Sequence, residues 1–249
     1  HVPGVRSDLL PLPIPMSKTT LQSRTKKRGK KYREKAILVH QSTYTLPEAV
    51  ELLTQVSTVA FDATAEVHVR IHADPTQADQ IVRTVVDLPH GTGKTPRIAA
   101  FVPDDLIETA KKAGAFKAGN TDLIREIEEG KMDFDVAVAV PKIMKDLGKV
   151  AKTLGQRGLM PNPKAGTVTE NVAKTIEALR KGRTECKMDT FGIIHTIFGK
   201  ISFGKEKLQE NLQTLLQALD EARPVGIKDP YIRSITIAPT MGPGIRITI

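Results

Sequence analysis

The chain has 249 residues, enough to bury a substantial core as one large or two medium domains. It has no tryptophan and only 4% aromatic residues, so core volume must come from Ala, Val, Ile and Leu, and its one cysteine excludes an internal disulfide and fits a reducing compartment. The net charge is +9, and no stretch approaches the roughly 18 consecutive apolar residues of a membrane span.

Residues 1–15 contain four prolines, which forbid a helix, so this segment is neither a signal-peptide core nor an amphipathic transit helix. Met16 reads as an internal start and residues 1–15 as an appendage. Residues 18–35 then carry nine positive charges (Lys18, Arg24, Lys26, Lys27, Arg28, Lys30, Lys31, Arg33 and Lys35) against Glu34, a net of +8 (9 − 1). Arg6 and Asp8 cancel, so the chain from residue 36 onward is near +1 (9 − 8). Such a block binds polyanions by releasing their counterions. On charge alone it also fits a solvated tail, a nuclear address or a surface for acidic lipid.

Thr45-Leu-Pro-Glu48 reads as a capping box with proline in the first turn, opening a helix to about Gln55. Residues 65–72 alternate. Ala65, Val67, Val69 and Ile71 point one way, and Glu66, His68, Arg70 and His72 the other, as in a half-buried strand. From about residue 95 the pattern changes. Ile98–Val102 and Val136–Val140 are continuous apolar runs, the mark of strands covered on both faces. Helices are expected over 104–113, over 121–129 with Gly130 as the stop, over 142–154, and over 170–181 between a Thr169 cap and Gly182. This alternation predicts a small, parallel, Rossmann-like layer. Half-buried character returns at 184–189 and 193–198, followed by a helix over 204–222 and strands over 231–238 and 244–249. Cys186, in the first of these runs, reads as a structural residue. The last strands need a partner, and 65–72 is the available one. The expected fold is therefore α/β and α+β in two domains, with a Rossmann-like three-layer α/β domain inserted into a discontinuous split α+β domain built from both chain ends. The chain would cross between them near 90–96 and 160–184, a hinge geometry.

Motifs for catalysis are weak. His90-Gly-Thr-Gly-Lys-Thr95 lacks the first glycine of a phosphate loop, because Leu88 stands there, and it precedes a strand rather than following one. His68 and His72 share a strand face but lie about 13 Å apart, too far for one metal. Asp104-Asp105 suits a helix N-terminus, and Glu128-Glu129 sits near a helix end. No enzyme, cofactor or metal site is expected.

Leu154–Val168 is the most distinctive stretch. Gly155, Gly158 and Gly166 free the backbone, Pro161 and Pro163 lock it, and Arg157 and Lys164 make it cationic. It suits docking on a phosphate-rich surface. The string resembles the signature of the L-one family of large-subunit ribosomal proteins, which form the mobile stalk beside the tRNA exit site. Ala60–His68, Val86–Lys94, Gly130–Asp135, Thr190–His195 and Thr240–Pro243 match the same family in order, from about residue 16 to the C-terminus. The chain departs from the family's usual pattern at Gln156, where proline is usual, and at Ala60, where lysine is frequent.

The resemblance implies residues 1–35 as appendage and basic tail, 36–91 plus 183–249 as the rRNA-binding domain, and 92–182 as the inserted domain. It implies rRNA contacts by Phe61, Asp189, His195, Ser234, Thr240, Met241, Gly242 and Pro243. Arg157 and Lys164 would touch tRNA or rRNA, and Lys26, Lys27, Arg28, Lys30, Lys31 and Arg33 would form the basic tail. The implied partners are the large-subunit rRNA stalk, E-site tRNA and the protein's own mRNA, whose translation it would repress. No membrane is involved and the free protein would be a monomer. The setting would be the cytoplasmic bacterial ribosome, with an organellar ribosome as the alternative. The competing function is a non-ribosomal, basic RNA-binding module.

Overall fold

The computed structural model describes residues 28–248 except 78, 225 and 228. Within it, α1 (Lys30–Ala36) and α2 (Leu46–Gln55) lead into β1 (Thr64–Ile71). The N-terminus of α2 is closed by Glu48, whose carboxylate accepts the Thr45 N–H at 3.0 Å. The strand β1 is central in a four-stranded antiparallel sheet. It pairs with β7 (Ile193–Lys200) on one side and β8 (Ile232–Pro239) on the other, and β9 (Ile245–Ile247) lies beyond β8. The expected pairing of the N-terminal strand with the final strands is thus present. Ala65, Val67, Val69 and Ile71 are buried beneath α2 and the long helix α8 (Lys205–Glu221). Leu208, Leu212, Leu215 and Leu219 recur at helical spacing and supply one covering face. This core draws on residues 44–88 and 186–247.

A second sheet is parallel. β3 (Ile98–Phe101) lies between β4 (Lys117–Gly119) and β5 (Val136–Ala139). Successive residues of β3 enter different cores. Ile98 and Ala100 join the helices α3 (Asp104–Lys112) and α7 (Val172–Lys181), whereas Ala99 and Phe101 join α4 (Thr121–Glu128) and the turns after β5. Both faces are covered, as the apolar runs predict. The stretch expected as one helix over 142–154 is instead a succession of 3-10 turns with two short helices, α5 (Met144–Leu147) and α6 (Ala151–Gln156). Gly148 falls within it, and glycine is a poor helix former. The helix α7 is capped by Asn171, not Thr169, with the Asn171 side chain accepting the Lys174 N–H at 3.4 Å. Thr169 holds the cap in place by accepting the Asn171 N–H.

Between these sheets runs a two-stranded ribbon of β2 (Arg83–Asp87) and β6 (Arg183–Lys187). Arg183 closes it with a bidentate pair to Asp87, at 2.8 and 3.0 Å. Just beyond the ribbon, Gly91 and Gly182 meet backbone to backbone. Asn211, on α8, hydrogen-bonds to His90, Gly91 and Phe198, tying the first crossing to β7. Cys186 is buried in β6, and burial pushes its thiol up to about 11, so it stays protonated and inert near neutrality.

Candidate nucleic-acid interface

Because β1 buries every second side chain, its other face offers Glu66, His68 and Arg70. Register sets their neighbours. His195, His68, Thr236 and Arg246 form one row across the four strands, and Arg70 stands between Ile193 and Ser234 in the next. The His68 and His195 Nδ1 atoms are 2.8 Å apart, one ring donating and the other accepting. His195 Nε2 lies 3.4 Å from the Asp189 carboxylate. Sequence alternation puts His68 on the polar face, but only cross-strand register reveals that His195 is its partner. No group of three or more His, Cys, Asp or Glu among the described residues could hold a metal ion.

Burial holds the His68 imidazole below the usual histidine range, with His195 adding to the effect and Glu66 opposing it. Arg70, Arg246 and Asp189 are the other charged groups near this row. The folded protein therefore protonates here at lower pH than the unfolded chain. The stability this site contributes is complete above about pH 6.5 and is lost as pH falls from there through the folded value. Between pH 7 and 5 the urea midpoint of the wild type should fall more than that of His68→Gln. Parallel declines would remove His68 from this account.

One end of the sheet carries the Thr240–Pro243 turn. The Gly242 N–H closes it on the Pro239 carbonyl at 2.8 Å. Met241, not Gly242, holds the positive φ, at 65°, the third position of a type II turn. Glycine is required at 242 for space. A Cβ there would lie 2.5 Å from the Pro239 ring and 3.2 Å from the Val56 carbonyl oxygen. Thr240 is committed internally. Its hydroxyl accepts the Thr64 N–H at 3.2 Å, and its own N–H reaches the Thr64 carbonyl at 3.0 Å. Pro243 is buried, so its ring positions the turn and offers no contact of its own.

The loop after α2 comes alongside, because the Thr58 hydroxyl donates to the Met241 carbonyl at 3.3 Å. Phe61, in that loop, is 60% exposed and Met241 is 74% exposed. The same corner receives the basic helix α1, whose Lys35 ammonium donates to the Gln55 carbonyl at 2.7 Å. Arg28, Lys30, Lys31 and Arg33 are on or beside α1, with the Arg28 guanidinium 5.3 Å from the Tyr32 ring centroid. Lys26, Lys27 and the appendage 1–15 lie outside the described residues.

At the other end, Asp189 builds a turn. Its Oδ1 accepts the N–H groups of Phe191 and Ile193, each at 2.8 Å. These bonds, the Ile193 one first, hold its carboxyl below the usual carboxylate range, with His195 adding to the effect. Through Oδ1, Asp189 thus organises the turn from within. Ser234 is half-buried opposite Arg70.

Arg157 and Lys164 are exposed on the 154–168 loop, in the part of the chain that carries the parallel sheet. That loop is fixed by Asn162, which accepts the Lys164 N–H at 2.8 Å, and by Thr167, which accepts the Asn162 N–H at 2.8 Å. Thr167 and Thr169 bond to Ala139 at the edge of β5.

A model of the family described as "Ribosomal protein L1p/L10e family" matches residues 53–243. A protein of Chloroflexus aggregans named "Large ribosomal subunit protein uL1" is 47% identical over 227 residues, covering 90% of this chain and 96% of its own. One of the same name from Kosmotoga olearia is 44% identical over 222 residues, covering 89% and 96%. No helix of the described residues is long and apolar enough to cross a membrane.

Proposed function

Since the chain belongs to the ribosomal protein L1 family, a family of structural proteins and not of enzymes, we propose that it binds the mobile stalk of large-subunit rRNA through the exposed face and ends of its antiparallel sheet. The chain is a structural constituent of the large ribosomal subunit and associates with its rRNA. The observation that carries the stalk reading is the corner where Phe61 and Met241 stand exposed on hydrogen-bonded loops beside the basic helix α1. Rigid apolar tips beside cations suit folded RNA, which is recognised through shape, splayed bases, 2′-hydroxyls and phosphates.

In this reading residues 36–91 plus 183–249 form the rRNA-binding domain. Residues 92–182 form a domain that swings with the stalk and helps release deacylated tRNA from the E site through the Arg157 and Lys164 loop. Residues 1–35 add affinity without sequence choice. The same surface would bind a mimic of the stalk site on the protein's own mRNA and repress its translation. The free protein would be a monomer in the bacterial cytoplasm.

Met241→Glu puts a charge against the phosphates at the centre of this corner. It should weaken binding of a stalk RNA fragment by about 1–3 kcal/mol, the scale of one specific contact. A dissociation constant equal to that of the wild type would remove the Thr240–Pro243 turn from the interface.

A further inference from the structure

Phe191 is the most exposed large apolar side chain of the described residues, at 79%, yet its backbone is held by hydrogen bonds. Its N–H is held by Asp189 Oδ1, and Gly192 turns the chain at φ 74°. The Gly192 carbonyl accepts the Ile71 N–H at 2.9 Å, which fixes the turn to the end of β1. The turn also reaches the polar face of the sheet, since Asp189 contacts His195 there. Next to it on that face are the exposed Arg70 and the hydroxyl of Ser234. Lys187 and Arg233 are exposed on the flanking strands.

We propose that Phe191 is a stacking platform for an unpaired nucleobase, at the end of the sheet opposite Phe61. An aromatic ring displayed on a fixed turn loses little entropy on contact, and cations around it draw the phosphates that flank a base. β1 spans eight residues, so the two aromatic ends lie on the order of 25 Å apart, a distance several nucleotides bridge. Arg70 and the His195–His68–Thr236–Arg246 row lie between them. The inference rests on the reading of this face as the RNA-binding surface and adds to it a second aromatic contact.

The chain has no tryptophan, so Phe191→Trp places a single fluorophore at the site. Its emission should be quenched on titration with a stalk rRNA fragment. Phe191→Ala should weaken binding roughly 5- to 100-fold, the scale of one stacked base, with an unchanged circular dichroism spectrum. Phe191→Leu should not restore it. Wild-type affinity in Phe191→Ala together with unquenched indole emission in Phe191→Trp, while the wild type binds the RNA, would overturn the stacking contact and leave the face assignment standing. Full affinity in Phe191→Leu alone would also overturn it, marking an apolar contact such as a neighbouring protein would make. If the wild-type protein does not bind the fragment, the reading and the proposal fall together.

Discussion

Gly182→Ala is expected to destabilise the protein by about 2–6 kcal/mol. The added Cβ would sit 2.3 Å from Gly91 Cα, 3.1 Å from Gly91 C and 3.2 Å from Thr92 N. All three are backbone atoms, so no side chain can turn aside. The φ of 118° adds strain that L-residues rarely tolerate, worth about 1–3 kcal/mol. Relieving the overlap must push the two crossings apart, at a further cost of about 1–3 kcal/mol on the scale of overpacked sites. It would also pull on the Arg183–Asp87 pair and on the Asn211 bonds to the first crossing. Gly130→Ala is the control. Its φ is 84°, but nothing lies within 4 Å of the added Cβ, so only the cost of holding an L-residue at positive φ, about 1–2 kcal/mol, should appear. Urea unfolding of both variants separates the terms. Equal losses would mean that the crossings slide freely and that the contact at Gly91 is soft.

This contact shows where sequence reading stops. The alternation in β1 and the apolar runs of β3 and β5 were legible because burial on one face or on both leaves a period in the residues. The strand β2 left none. It pairs only with β6, and Val86 is its one buried side chain, so Arg83-Thr-Val-Val-Asp87 reads like a loop. The strand β4 has three residues, too few for any period.

The interface was legible as a set of motif residues, because the resemblance names positions. Their geometry was not. Glycine at 242 signals a place that bears no Cβ, and positive φ is the usual reason, but here Pro239 crowds the position and Met241 takes the unusual φ. That reason lies in a contact to a ring three residues away. The resemblance implies Asp189 and Pro243 as contacts, and the structure adds a supporting role for each that no motif shows, through the hydrogen bonds of one and the burial of the other. Phe191 falls inside the Thr190–His195 match but is not among the contacts the resemblance implies, and only its exposure on a fixed turn separates it from an ordinary loop residue.

Asn211→Leu is expected to cost about 3–5 kcal/mol while keeping the packing of α8. The side chain is fully buried, and leucine has nearly its shape. What is lost is hydrogen bonding. Asn211 Oδ1 accepts the His90 N–H at 3.0 Å, and Nδ2 donates to the carbonyls of Gly91 at 3.0 Å and Phe198 at 2.8 Å. Leucine leaves those three backbone groups without their partner, and each costs about 1–3 kcal/mol where water cannot replace it. For a chain of this length the melting temperature should fall on the order of 10 °C. The same side chain fastens the first crossing to the antiparallel sheet. Below the melting temperature, a dye pair placed on either side of Gly91 should therefore report a broader distance distribution in the variant. The Thr240–Pro243 turn and Phe61 hang on other bonds, so stalk RNA affinity should stay within about twofold, well under the 1.4 kcal/mol of a tenfold change. A large stability loss with an unchanged distance distribution would leave Asn211 as a core residue with no part in setting the crossing. An unchanged melting temperature would mean that water reaches His90 and Gly91 and that the site is not sealed.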